Sequence, residues 1–157
     1  MAKIVTSTIR AAIKTALEDN ATISGYGGTI IGYDGDIKNA LKTEAVKYPV
    51  IIIKFSSKNY EMRNLNLQSW KRDTFFEIAV AVKNEISEEA RVDGIGAIAT
   101  GLWEIVDAVG DALIGRDLDL DIEKIQPISD TYIEDNLKWK VLIGKTTFKT
   151  REDFDVS

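Results

Sequence analysis

The stretch Tyr48-Pro49-Val50-Ile51-Ile52-Ile53-Lys54-Phe55 decides how the rest of the chain is read. Residues 50–55 are apolar but for Lys54, rich in β-branched side chains, and bounded by Pro49 and by Ser56-Ser57. A short run of that composition between turn residues predicts a buried central strand. Pro49 disfavours helix at the residue before it, so a short helix over 37–46, with Asp36 as its N-cap, has to stop near Tyr48.

Working outward, residues 73–83 alternate as a second strand. Phe76, Ile78, Val80 and Val82 fall on one face, and Phe75, Glu77, Ala79 and Ala81 on the other. Upstream, Ile9, Ala12, Ile13, Ala16 and Leu17 recur at helical spacing and predict an amphipathic helix over 3–19. The stretch holding Gly25, Gly27, Gly28, Gly32 and Gly35 reads as turns and loop.

Downstream, Ser87 caps a long helix over 88–114, which Gly115 ends. Gly94, Gly96, Gly101 and Gly110 each cost that helix about 1 kcal/mol relative to Ala, so packing has to hold it. Residues 117–123 alternate acid and apolar, which predicts a half-buried strand with Leu118, Leu120 and Ile122 inward and Gln126-Pro127 closing it. Residues 137–149 read as a last strand, with Trp139, Val141 and Ile143 inward and a bulge at Gly144. Adjacent strand pairs with two packing helices predict an α+β two-layer sandwich. Its sheet is expected to be mainly antiparallel, of about four strands, with two main helices on one face. Residues 1–150 then form a single domain and 151–157 a polar C-terminal tail.

The chain of 157 residues has a length that suits one domain with its own core. It contains no Cys and no His, which excludes a disulfide framework, a thiolate metal site, a cysteine nucleophile and a histidine general base. The net charge of −5 disfavours specific nucleic-acid recognition, and no apolar run has the length of a membrane span. Residues 1–10 lack a signal-peptide core, so a cytosolic site of synthesis is expected.

Charge is unevenly spread. Residues 84–123 hold eleven acids against Arg91 and Arg116, a balance of −9, and 38–72 hold eight basic residues against Glu44 and Glu61, a balance of +6. Opposite poles of this kind suit a head-to-tail subunit contact, or else are two solvated faces of one molecule.

The chemical motifs are weak. Gly25-Tyr26-Gly27-Gly28 lacks the Gly-Lys-Ser/Thr of a phosphate loop, and the dinucleotide pattern would need glycine at Ile30. Asp117, Asp119 and Asp121 begin like a calcium loop, but Ile122 and Ile128 stand where glycine and glutamate are required. With Glu123 they form a candidate acidic face, whose purpose would have to come from an assembly. Glu104, Asp107 and Asp111 share a helical face opposite the apolar stripe and read as solvated carboxylates. No catalytic, cofactor-binding or metal residue is assigned, and an enzyme is not expected.

Residues 56–72 are the unusual segment. Tyr60, Met62, Leu65, Leu67 and Trp70 are interspersed with Lys58, Arg63, Lys71 and Arg72. A connection this long is usually functional, its Leu65-Asn66-Leu67-Gln68 alternation suggests an extended arm or hairpin, and the apolar anchors flanked by polar residues fit a protein-contact arm. The same side chains could instead fold back on the core.

The order of segments resembles a known family. Ile9-x3-Ile13-x3-Leu17 precedes the glycine-rich stretch; Tyr48-Pro49-Val50-Ile51-Ile52-Ile53 follows, then a strand from Trp70 to Val82-Lys83-Asn84. A helix closing on Asp111-Ala112-Leu113-Ile114-Gly115 comes next, then Gln126-Pro127-Ile128 and a strand ending Thr147-Phe148-Lys149-Thr150. This resembles the tail terminator proteins of Mu-like contractile-tailed phages and prophages. The resemblance implies a virion protein that forms a homo-oligomeric ring, typically hexameric, on the head-proximal end of the tail. Such a ring stops tube and sheath growth and serves head–tail joining. The implied partners are the chain itself, the tail tube protein, the sheath protein and a head–tail connector or neck protein. Its implied location is the virion tail, assembled in the bacterial host cytoplasm. The alternatives are another neck or baseplate ring protein of the same particle, and a soluble cytosolic binding domain.

Overall fold

A computed structural model describes residues 3–43, 46–66, 68–83, 101–136 and 141–155. The elements, in order, are α1 (Thr6–Asp19), α2 (Ala21–Gly25), β1 (Thr29–Gly32), α3 (Ile37–Thr43), β2 (Val50–Asn64), β3 (Ser69–Lys83), α4 (Leu102–Leu113), β4 (Gln126–Asn136) and β5 (Val141–Asp155). They build an α+β fold around one five-stranded sheet of order β1-β2-β3-β5-β4. All neighbours are antiparallel except β1, which runs parallel to β2.

The two main helices lie on one face, as their apolar stripes require. Ile9, Ile13 and Leu17 of α1 and Leu102, Ile105, Val109 and Leu113 of α4 are buried against Ile51, Ile53, Phe76, Ile78, Val80, Leu142 and Phe148. Phe76 and Phe148 stack with ring centroids 5.4 Å apart at the centre of this layer. The opposite, far face is covered over a smaller area, where Ile37 and Ala40 of α3 meet Val50, Ile52, Ala79, Ala81, Val141 and Ile143. Asp36 starts α3 as expected, accepting from Lys38 N–H at 2.9 Å.

Four expectations are corrected. The sheet has a fifth strand, because β1 emerges from the glycine-rich stretch expected as loop. Thr29 N–H donates to the Pro49 carbonyl at 3.0 Å, and a Cβ on Gly28 would sit 1.8 Å from that oxygen. Glycine there permits the backbone approach that starts the parallel pair.

Residues 117–123 form turns and not a strand. Leu118 and Asp119 take left-handed φ of 57° and 56°, and Asp119 N–H donates to Asp117 Oδ1 at 3.0 Å. Aspartates bonding their own backbone compete with a sheet ladder, and here they win. The strand begins later, at Gln126, where closure was expected. The inward set is nonetheless right: Ile122 is buried, and Leu118 and Leu120 pack on the core.

The connection 56–72 is the extended hairpin that its alternation suggested, β2 and β3 running through it to a tight turn. Residues 151–155 are not tail but the end of β5. Gly144 carries no bulge against β3: the ladder runs unbroken from Ser69↔Asp155 to Lys83↔Val141, all 15 residues of each strand. Gly144 lies on the helix face, where a Cβ would come within 3.2 Å of Leu102 Cδ2, so close helix–sheet packing explains it. Of the long helix expected over 88–114, residues 88–100 lie outside the described residues, as do Ser87 and Trp139. Among the described residues no helix is long and apolar enough to cross a membrane.

Candidate assembly surface

Three strands, β2, β3 and β5, continue past the helices as an arm. Its polar and apolar residues alternate, so the ladder sorts them onto two faces with different chemistry.

On the helix face, the segment leading into α1 crosses the arm at one row. Arg72 and Glu152 are adjacent in register, form an ion pair, and are only 2% and 3% exposed. Arg72 Nη2 also donates to the Ile4 carbonyl at 2.6 Å, and Ile4 N–H donates to Glu152 Oε2 at 2.9 Å. Extra hydrogen bonds offset part of the cost of burying an ion pair, and the Ile4 backbone supplies two, while Arg72 Nε has no hydrogen-bond partner among the described residues.

Past that row the helix face is apolar. Met62 pairs with Trp70, which pairs with Phe154, and the Tyr60 ring meets Phe154 edge-on at 6.3 Å. Phe154 is buried and Trp70 half-buried, but Tyr60 is 50%, Met62 41% and Leu65 74% exposed. Leu65 sits at the turn, which Asn64 stabilises by accepting from Asn66 N–H at 3.0 Å. The structure therefore brings Tyr60, Met62 and Trp70 together on one face, with Leu65 at the tip. Leu67 lies outside the described residues.

The far face of the arm is a ladder of ion pairs. Lys71 meets Glu61 at 2.7 Å, Arg63 meets Asp153 at 2.6 Å, Arg151 meets Asp73 at 2.7 Å, and Lys145 meets Glu77 at 3.0 Å. The hydrogen bond from Arg151, then its charge, holds the Asp73 carboxyl below the usual carboxylate range. Lys71 does the same to Glu61, and Asp73 in turn raises Arg151. Three of the eight basic residues in 38–72, namely Arg63, Lys71 and Arg72, are thus paired within the chain.

The acidic candidates lie elsewhere, on the loop after α4. Asp117, Asp119, Asp121 and Glu123 are all exposed, so their outward alternation holds without a strand. The loop is fixed to β5, with Glu123 N–H donating to the Arg151 carbonyl at 2.7 Å and Thr150 Oγ1 donating to the Glu123 carbonyl at 2.8 Å. Glu104, Asp107 and Asp111 are exposed on α4. Among the described residues no group of three or more Asp or Glu has metal-holding geometry.

Sequence reasoning missed two features. One is the partnership of Phe154, Glu152 and Asp153 with the arm, which joins residues about ninety positions apart. The other is a cleft of about 190 Å³ on the far face, lined by Lys38, Leu41, Lys42, Tyr48, Lys83, Val141 and Ile143. Its walls come from four separate segments: Lys83 pairs in register with Val141, and its Nζ lies over the Tyr48 ring, 5.9 Å from the centroid.

Comparison with models of known protein families gives no match, and no curated protein matches the sequence.

Proposed function

We propose that this chain is a structural protein of a phage or prophage tail, a terminator whose copies form a ring, hexameric by the resemblance, on the head-proximal end. The observation that carries this reading is the arm. Tyr60, Met62 and Leu65 stay exposed beside a half-buried Trp70, while the charged residues on the reverse face pair with one another. An apolar row with aromatic anchors on a rigid, internally neutralised support is the anatomy of a protein-contact surface.

On this reading the work is geometric and the chain is not an enzyme. The arm meets the tail tube, the sheath or a neighbouring copy, and another surface is left for the connector. The acidic loop, placed toward the passage, would repel exiting DNA. The sequence resemblance supports the choice of a terminator over another neck or baseplate ring protein.

The test is electron microscopy of particles made after disruption of this gene in the phage or prophage that carries it. Overlong or unjoined tails beside DNA-filled heads are expected. Normal, joined particles overturn the proposal. Particles lacking a baseplate overturn it in favour of a component at the opposite end.

A further inference from the structure

We infer that neighbouring copies join edge to edge, the open edge of β2 in one copy pairing antiparallel with β4 of the next, so that the sheet is continuous around the ring. This rests on the ring reading above and specifies the contact that closes it.

Two edges that no other strand covers among the described residues carry the argument. β1 pairs with β2 only from Val50 to Ile53, and among the described residues no strand flanks 54–64. On that side the Phe55 N–H donates to Asp34 Oδ1 at 3.1 Å. At the other end of the sheet, β4 is the edge strand and has 11 residues, the same length as 54–64. Long open edges are templates for pairing, and monomeric proteins usually shorten or cover them.

Direction and charge both fit. The antiparallel pairings β2–β3, β3–β5 and β5–β4 make β4 run opposite to β2, so copies in the same orientation meet antiparallel. Lys54 and Lys58 make no ion pair among the described residues, whereas the one charged residue among the described side chains of β4, 126–131, is the acidic Asp130. A basic edge meeting an acidic one gives a head-to-tail contact and disfavours self-pairing of either edge.

The two edges are also displaced in a way that closes. Asn59, midway along 54–64, lies opposite Asp73, while Thr131, midway along β4, reaches Ala79 through Lys145. From Asp73 to Ala79 is six residues, about 20 Å at ~3.4 Å per residue, and four strands at ~4.8 Å span about 19 Å. A stagger and a spacing of equal size tilt the strands by about 45°, at the upper end of the ~35–45° of closed barrels. In such a ring β1 and the incoming β4 share one column beside β2, end to end. The even separation of Asp73 and Ala79 puts Asn59 and Thr131 on the same face, and both are exposed.

The absence of cysteine makes the test clean. Asn59→Cys is combined in turn with Thr131→Cys and with Ser129→Cys, and each double variant is oxidised both in solution and on purified tail tubes. Denaturing gels should show a covalent ladder from dimer up to the ring size, while each single variant stops at dimer. The unsubstituted protein is sized in parallel by native mass spectrometry and by microscopy of decorated tubes. Rings without a ladder in either double variant overturn the edge contact and leave the ring standing. A protein that stays monomeric in solution and on tubes overturns both.

Discussion

The sheet has two halves that keep their strands in register by different means. Beneath α1 and α4, Ile51, Ile53, Phe76, Ile78 and Phe148 are buried on one face, and Ile52, Ala79, Ala81 and Ile143 are buried on the other. In the arm, the same three strands have an ion-pair ladder on one face and a partly bare apolar row on the other. Burying apolar area in the first half stabilises without regard to direction, at roughly 25 cal/mol per Å². Pairing charge in the second half contributes little per exposed pair but specifies which residues face each other. The covered half therefore supplies the stability, and the arm supplies a shaped surface that does not collapse onto the core.

This contrast can be broken from either side. The largest effect belongs to the covered half: Phe148→Ala removes a stacked, fully buried ring and should cost about 3–5 kcal/mol, read from urea unfolding with an unchanged m-value. A loss under about 1 kcal/mol would place the core elsewhere.

Next comes the boundary between the halves. Glu152→Ala strands the buried Arg72 and should cost about 3 kcal/mol, the lower end for a broken buried pair, because the Ile4 carbonyl still accepts from Arg72. The double variant Arg72→Met/Glu152→Leu should recover most of that loss, since an apolar pair of similar size avoids the desolvation of two charges. If the double variant is as unstable as the single one, the ion pair is not what is being lost.

The smallest effect is the acid sensitivity of the arm. Asp73 and Glu61 have folded-state values below their unfolded values, near 3.8 and 4.5. Between the folded and unfolded values the unfolded chain binds more protons, so stability falls as pH drops through that window and is fully present above it. Hydrogen exchange of β2 and β3 amides should show the arm opening before the covered half as pH is lowered from 6 toward 3. Uniform loss across the sheet would remove the distinction between the two halves.

The same contrast explains what was legible in the sequence. The faces of 73–83 and the buried stripe of α1 could be read because burial leaves a periodic trace: Phe76, Ile78, Val80 and Val82 are on one face as expected. The arm left a weaker trace, the Leu65-Asn66-Leu67-Gln68 alternation, which suggested a hairpin but not its partners. Half of its residues are charged, and its order comes from partners such as Asp73 and Arg151, 78 positions apart. β1 was hidden for a related reason, as Gly28 and Gly32 read as breakers until Pro49 is known to approach. The acid–apolar alternation of 117–123 reported burial correctly but not conformation, because a period of two cannot register aspartates bonding their own backbone. Of the candidate surface, Tyr60, Met62, Leu65 and Trp70 were visible as misplaced apolar residues in a polar stretch. Phe154 and the Arg72–Glu152 row were not, since only the topology brings residues 141–155 beside 69–83.

That topology has a consequence for how the chain comes into being. The strand that joins β3 to β4 follows the other described strands in sequence, yet it occupies an interior position in the sheet. A nascent chain on the ribosome can form α1 and the β2–β3 hairpin, but β3 keeps a naked flank and α4 has half its floor missing until 141–155 emerge. Contacts of such high sequence separation are slow to form, and the exposed flank invites association in the meantime. Completion of the sheet thereby waits for 141–155, and a chain that stops short of them cannot form the finished arm.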